Sequence, residues 1–224
     1  VRDNRWLPAT LAAVTELSAE DAVGLERSSA QIRAAFSAGK MPEELELAIR
    51  GAYAELGSTP VAVRSSATAE DLPDLSFAGQ QDTYLNVIGQ EQLLEAVIHC
   101  WASLWTARAI GYRIRNGIDH RQAALAVVVQ NMIQSEVSGV LFTANPLTGL
   151  RSETVIDATL GLGEALVSGQ VEPDHYVVDT LNQSILTRTL GAKKISTRGK
   201  TSGGVQLIEE VGEHHYRIDR LMFH

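Results

Sequence analysis

The spacing of apolar residues shifts along this chain from a mainly helical period to runs of β-branched residues, and that shift restricts the fold more than any single residue does. In residues 19–38, Val23, Leu25, Ile32 and Phe36 recur between charges at a spacing that predicts an amphipathic helix. Pro42-Glu43-Glu44 opens a second helix: proline suits a first turn, and two carboxylates oppose the positive end of the helix dipole. Leu45, Ile49, Ala52 and Leu56 then share a face, and Gly57 is a stop. Residues 91–116 read as the longest helix, with Leu94, Val97, Trp101, Leu104 and Ile110 near one stripe. Trp101 and Trp105, four apart, read as its core side. Two short strands, 61–64 and 83–87, interrupt this helical part.

From residue 124 the texture is that of sheet. Residues 124–133 read as a central strand, and 137–143 as a second, joined to it through a tight connection at Gln134-Ser135-Glu136. Residues 154–158 read as a third, and 175–179 with 184–188 as a hairpin about Asn182-Gln183. Gly161-Leu162-Gly163-Glu164 reads as a glycine turn entering a short helix, with Glu164 either facing a cleft or merely closing the turn. Residues 197–204 are polar and glycine-rich, the composition of a mobile loop, and 205–209 make one more strand. Helices first and sheet second favour an α+β fold over a doubly wound parallel sheet. The division expected is a helical part, 1–120, and a mostly β part, 121–224.

Charge and composition exclude several classes. A net charge of −8 gives no overall basic field for nucleic acid or an anionic membrane, although a local basic pocket can still hold an anion. No run of about 18 apolar residues offers a membrane span, and the first residues lack the apolar core of a signal peptide. The single cysteine, Cys100, lies in a helical stretch and reads as core packing; no disulfide forms within one chain, which fits a reducing cytoplasm. The six histidines show no metal-ligand spacing. The chain opens on Val1 rather than methionine, as expected of a piece of a longer protein.

Chemistry concentrates in residues 61–71 and 77–83. The apolar run Val61-Ala62-Val63 ends in Arg64-Ser65-Ser66, followed by a loop of small polar residues and then by Gly79-Gln80-Gln81-Asp82-Thr83. A strand end that fixes a cation beside a glycine-bearing loop suits polyphosphate: arginine offers a planar fork of donors, and glycine lets backbone N–H groups approach phosphate closely. Arg64 is therefore read as a triphosphate ligand, with Gly79, Gln80, Gln81 and Thr83 as the covering loop. Ser65, Ser66 and Thr68 fit two roles equally, hydroxyl donors to phosphate or local turn formers. Glu70 and Asp71 read as loop solvation. Gln130 and Met132 end the most hydrophobic strand, where an adenine finds an apolar slot and backbone groups at residues 131–133; core packing is the competing reading for Met132. Glu136 is placed to accept from ribose hydroxyls, or else is a solvated turn residue.

Residues 61–179 carry blocks in a particular order: Val63-Arg64-Ser65-Ser66-Ala67, Phe77-Ala78-Gly79-Gln80, Trp101 to Trp105, Val129-Gln130-Asn131-Met132, Ser138 to Pro146, Gly161-Leu162-Gly163-Glu164, and Pro173-Asp174. This series resembles the nucleotide-binding domain of the phosphoenolpyruvate synthase and pyruvate phosphate dikinase family, and the likeness extends to rifampicin phosphotransferases. The resemblance implies an ATP-grasp-like fold, incomplete at both ends, with ATP between two α+β subdomains. It implies ATP and Mg²⁺ as cofactors, with most metal ligands outside this chain and none assigned within it. It also implies a reaction in which the β-phosphoryl group of ATP passes to a histidine on a swivelling domain, then to pyruvate or an antibiotic such as rifampicin on an acceptor-binding domain.

Three departures from the family pattern bear on activity. No convincing phosphate-binding lysine precedes Val61; Lys40 sits just before a helix in Ala38-Gly39-Lys40-Met41. No Gln-x-Arg follows Val205, and no phosphorylated-histidine block is present. Nucleotide binding with little or no turnover is therefore expected of these residues alone. The alternative is a non-catalytic nucleotide-binding or regulatory module that kept the fold and lost the lysine and metal ligands.

Overall fold

The structure is a computed structural model that describes residues 12, 14–67, 71–72, 75–76, 82–121 and 123–210. It contains two compact units, residues 1–132 with 202–204, and 133–201 with 205–224.

In the first unit, α1 (Ala22–Ala38) is capped by Asp21, whose carboxylate accepts the Gly24 N–H at 2.9 Å. It buries Leu25 and Ile32. The second helix, α2 (Glu43–Glu55), has three glutamates in its first turn and buries Tyr53, whose hydroxyl donates to the Thr59 carbonyl and accepts from the Gly89 N–H. Strands β1 (Val61–Ala67) and β4 (Thr83–Val87) pair antiparallel, and β1 pairs on its other side with β5 (Leu125–Asn131). Between β1 and β4 the two-residue strands β2 (Asp71–Leu72) and β3 (Leu75–Ser76) pair with each other. Helix α3 (Gln90–Ser103) covers one face of the β4-β1-β5 sheet. There Val61, Val63 and Val87 pack with Leu93, Ala96, Val97 and Cys100.

Two expectations are corrected here. The long helix predicted for 91–116 is broken into α3 and α4 (Ala107–Arg115), because Thr106 turns out of the helix and caps the second segment, its hydroxyl accepting the Ala109 N–H at 3.2 Å. Trp105 thus lies in the break, buried, with the Arg113 guanidinium 5.1 Å from its ring centre. The strand predicted as central, 124–133, is an edge among the described residues: β1 is the middle strand. Its burial alternates along Leu125–Asn131, so the β-branched run fills one face only.

Arg113 is fully buried, and its Nε–H donates to His120 Nδ1 at 2.9 Å. Burial draws the guanidinium down to about 10, and burial together with Arg113 draws His120 down to about 4. Folded His120 is therefore neutral at pH 7, with its proton on Nε2. Because its folded value is depressed, its contribution to stability is complete above about pH 6.5 and is lost as pH falls toward 4. His120→Gln keeps an acceptor for Arg113 but takes no proton. The fall in urea midpoint between pH 7 and pH 5 is expected to be smaller in that variant; an equal fall in both proteins contradicts this assignment.

In the second unit β6 (Val137–Phe142), β7 (Glu153–Leu160), β8 (Asp174–Asp179) and β9 (Ser184–Thr189) form an antiparallel meander in sequence order. Its buried residues include Val155, Ile156, Ala158, Leu160 and Tyr176. The connection 134–136 does not make a hairpin: β6 pairs with β7 and β5 with β1. Helix α5 (Glu164–Val167) is a single turn. Of the predicted loop 197–204, Thr197, Arg198 and Gly199 belong to β10 (Ile195–Gly199), which pairs with β11 (Val205–Glu209) residue for residue, while residues 200–204 form the loop that follows β10. Thr197, Arg198 and Gly199 are polar yet complete a ladder. Gly161 is required where it stands: φ is +74°, and a Cβ there would lie 2.3 Å from the Thr197 carbonyl oxygen. Antiparallel sheets beside separate helices make the fold α+β, as expected.

Candidate functional site

Facing residues of antiparallel strands share a face, and successive residues alternate. In β1 this rule separates the candidate residues. Arg64 lies opposite Thr83 on β4 and opposite Val128 on β5, and Ser66 opposite Ala126. Ala62 lies opposite Gln130. Arg64, Ser66, Thr83 and Gln130 therefore stand on one sheet face, and all four are exposed. Val128, 44 % exposed, supplies an apolar patch beside Arg64. The other face carries the core described above.

Ser65 belongs to that other face. It lies opposite Val127, and its hydroxyl donates to the Asp82 carbonyl at 3.3 Å. Arg64 is also not at a strand end: β1 continues through Ala67, so the arginine is held in a two-sided ladder. No sequence cue marked this, because Arg64, Ser65 and Ser66 are three polar residues in a row and show no alternation. Gly79, Gln80 and Gln81, with Thr68 and Glu70, lie outside the described residues.

At the far end of β5 the Met132 N–H donates to the Pro60 carbonyl at 2.8 Å, and Met132 is half-buried. One of the three backbone positions expected to meet a base edge is thus already committed to the sheet. The antiparallel pattern turns the peptide groups of Asn131 away from β1, and the Ile133 carbonyl accepts the Ser135 N–H at 3.0 Å. The Asn131 side chain accepts from the Thr59 hydroxyl at 3.0 Å. Gln130, two residues before Met132, shares the open face with Arg64.

In the second unit Glu136 is exposed, and its carbonyl accepts the Gly161 N–H at 2.7 Å. Glu164 is exposed in the first turn of α5, and the glycine turn before it has the structural cause given above. Among the described residues no three side chains of His, Cys, Asp or Glu converge as a metal site. No described helix is long and apolar enough to cross a membrane.

Two side chains approach Asp82 from the core side: Tyr84, which the sequence reading did not single out, and Cys100, which is buried in the core as expected. The Tyr84 hydroxyl donates to Asp82 Oδ2 at 3.2 Å, and burial followed by the Asp82 charge holds its pKa above the usual tyrosine range. The Cys100 thiol, pushed up to about 12 by burial, lies 3.9 Å from the Asp82 carbonyl oxygen. The aromatic body of Tyr84 faces the core opposite Val63 and gave no hint that its hydroxyl has a task.

Residues 4–219 match the family of pyruvate phosphate dikinase AMP/ATP-binding domains. Phosphoenolpyruvate synthase of Pyrococcus furiosus is 44% identical over 208 residues, covering 90% of this chain and 26% of that protein. Rifampicin phosphotransferase of a Streptomyces species is 50% identical over 179 residues, covering 80% of this chain and 20% of that protein. The rifampicin phosphotransferase of Bacillus subtilis is 42% identical over 207 residues, 92% of this chain and 24% of its own length. The chain thus spans a fifth to a quarter of these relatives.

Proposed function

The chain belongs to the pyruvate phosphate dikinase AMP/ATP-binding domain family, and from that premise we propose that it is the ATP-binding portion of a phosphotransferase of the phosphoenolpyruvate synthase or rifampicin phosphotransferase kind. The observation that carries the proposal is the open face of the β4-β1-β5 sheet. It aligns a guanidinium, two hydroxyls and an amide beside exposed Val128. Phosphoryl transfer asks mainly for positioned donors around developing negative charge, and Arg64 and Thr83 supply them. In this reading the base lies near the end of β5, with Met132 against its face, backbone groups among residues 131–133 at its edge, and Glu136 on the ribose. Gln80 and Gln81 cover the phosphates.

In this proposal ATP is split at two places: the β-phosphoryl group passes to a histidine on a separate swivelling domain, the γ-phosphate leaves as inorganic phosphate and AMP remains, and the phosphoryl group then reaches an acceptor held by a further domain. Mg²⁺ supplies charge neutralisation at the phosphates when bound. The relatives named for phosphoenolpyruvate synthesis and for rifampicin transfer are alike in similarity, so the choice between pyruvate and antibiotic is assigned to the acceptor domain.

Calorimetric titration of the 224-residue chain with ATP tests the reading. Met132→Leu conserves volume and apolarity and is expected to bind within about twofold of the unaltered chain. Glu136→Ala is expected to lose most of its preference for ATP over the 2′,3′-dideoxy analogue. Absence of any heat from ATP in the unaltered chain sinks the proposal, and an unchanged preference in Glu136→Ala removes the ribose contact from it.

A further inference from the structure

Where β4 begins, three side chains from three elements converge on one residue. Asp82 receives the Tyr84 hydroxyl on its carboxylate at 3.2 Å and the Ser65 hydroxyl on its carbonyl at 3.3 Å, with the Cys100 thiol 3.9 Å from that same carbonyl. Each donor comes from the packed side of the sheet. Tyr84 and Ser65 face the core opposite Val63 and Val127, and Cys100 rises from α3. The Tyr84 ring is itself fixed against His99, 5.8 Å between centres. The next residue, Thr83, faces the opposite way, beside Arg64.

Ladder pairing alone does not account for this investment. Thr83 is the first residue of β4, where a strand ordinarily frays for lack of a neighbour on one side. Tyr84 and Asp82 are both half-buried, so water can reach either group, and the bond between them contributes chiefly by fixing a position. Burial keeps both the tyrosine and the cysteine protonated, hence donors.

We propose that Tyr84, Asp82 and Ser65 form a clamp that locks the first residue of β4 against β1, so that the Thr83 hydroxyl and the Arg64 guanidinium present one fixed pair of donors to a nucleoside triphosphate; Tyr84 and Asp82 are positioning residues. The proposal rests on the nucleotide reading above. Its particular content is that a hydroxyl on the core side of the sheet sets affinity for the phosphates on the open side. The acceptor on residue 82 matters through its oxygen and not through its charge. An amide therefore serves in its place, and a methyl group does not.

Three substitutions in the full 224-residue chain separate the clamp from simple packing. Tyr84→Phe removes one oxygen. It is expected to weaken ATP about fivefold to tenfold, the effect of losing one anchoring hydrogen bond, with AMP within about twofold of the unaltered chain. Asp82→Asn is expected to bind ATP as the unaltered chain does, and Asp82→Ala to behave as Tyr84→Phe. The double variant Tyr84→Phe/Asp82→Ala should be no weaker than either single one, since all remove the same bond. Amide hydrogen exchange without ligand provides a separate readout: residues 82–84 should exchange at least about tenfold faster in Tyr84→Phe, while α3 is unchanged. ATP binding by Tyr84→Phe equal to the unaltered chain overturns the proposal. So do equal losses for ATP and AMP, multiplying losses in the double variant, or unaltered exchange. An unaltered chain that binds no adenine nucleotide while the exchange contrast holds overturns the nucleotide reading, and with it the positioning role, but leaves the anchoring of β4 established.

Discussion

Arg64→Ala is expected to lower ATP affinity by at least about tenfold, because a charge-assisted contact to phosphate is worth ~1.5–3 kcal/mol. The geometry makes that loss attributable to binding. Arg64 is exposed and sits in the middle strand of its sheet, so its removal opens no cavity and leaves no buried group unpaired. Among the described residues it has no carboxylate partner. Its backbone is held in ladders on both sides, which fixes the face of the sheet from which the side chain projects. Arg64→Lys keeps the charge and loses the planar fork, and should recover only part of the affinity. Calorimetry on the three proteins, with urea midpoints measured alongside, decides the matter. Equal ATP affinity for Arg64→Ala and the unaltered chain removes Arg64 from the site. Lower affinity accompanied by a large fall in midpoint assigns it to the fold instead.

The fold class was legible because the two periods are physically distinct. Leu25, Ile32 and Phe36 recur at helical spacing and pack together, although Val23 turns out to be exposed, whereas the Leu125–Asn131 run has no helical period. Strand neighbours were less legible. A β-branched run such as 125–129 fits a strand covered on both faces and an edge strand covered on one, and only the partners decide. The break in the 91–116 helix had a local cue in Thr106, yet threonine inside a helix is common enough that tertiary packing of Trp105 had to settle it. Arg64, Thr83 and Gln130 come from three strands far apart in sequence, and each was marked by its residue type. Their common face follows from register, which no local pattern specifies. The same register places Ser65 on the core side, although it adjoins Arg64 in the chain. The clamp at Asp82 and the Arg113–His120 pair were illegible for a related reason. Each depends on a polar atom carried by a residue that the sequence presents as bulk or as surface.

The largest effect on stability is expected in the second unit, at Asp174. Lys193 and Asp174 form an ion pair with side chains 2 % and 0 % exposed, and Asp174 Oδ1 also accepts the Gly191 N–H at 2.9 Å. The lysine in turn donates to the Gly191 carbonyl at 3.0 Å. Lys193 adopts φ of +42°, a region that favours glycine, so its side chain must outweigh a backbone preference. Asp174→Ala leaves an ammonium buried without its carboxylate, a change that costs about 3–5 kcal/mol. That is a large share of the ~5–15 kcal/mol by which a typical domain is folded. Adding Lys193→Met removes the stranded charge and retains the apolar stem, so the double variant should be more stable than Asp174→Ala alone. Far-UV circular dichroism through a urea titration gives the three midpoints. The pair is structural in the sense argued here only if the double variant recovers part of the loss. Additive losses would mean that the two residues act separately, Asp174 through the 191 turn and Lys193 through its stem.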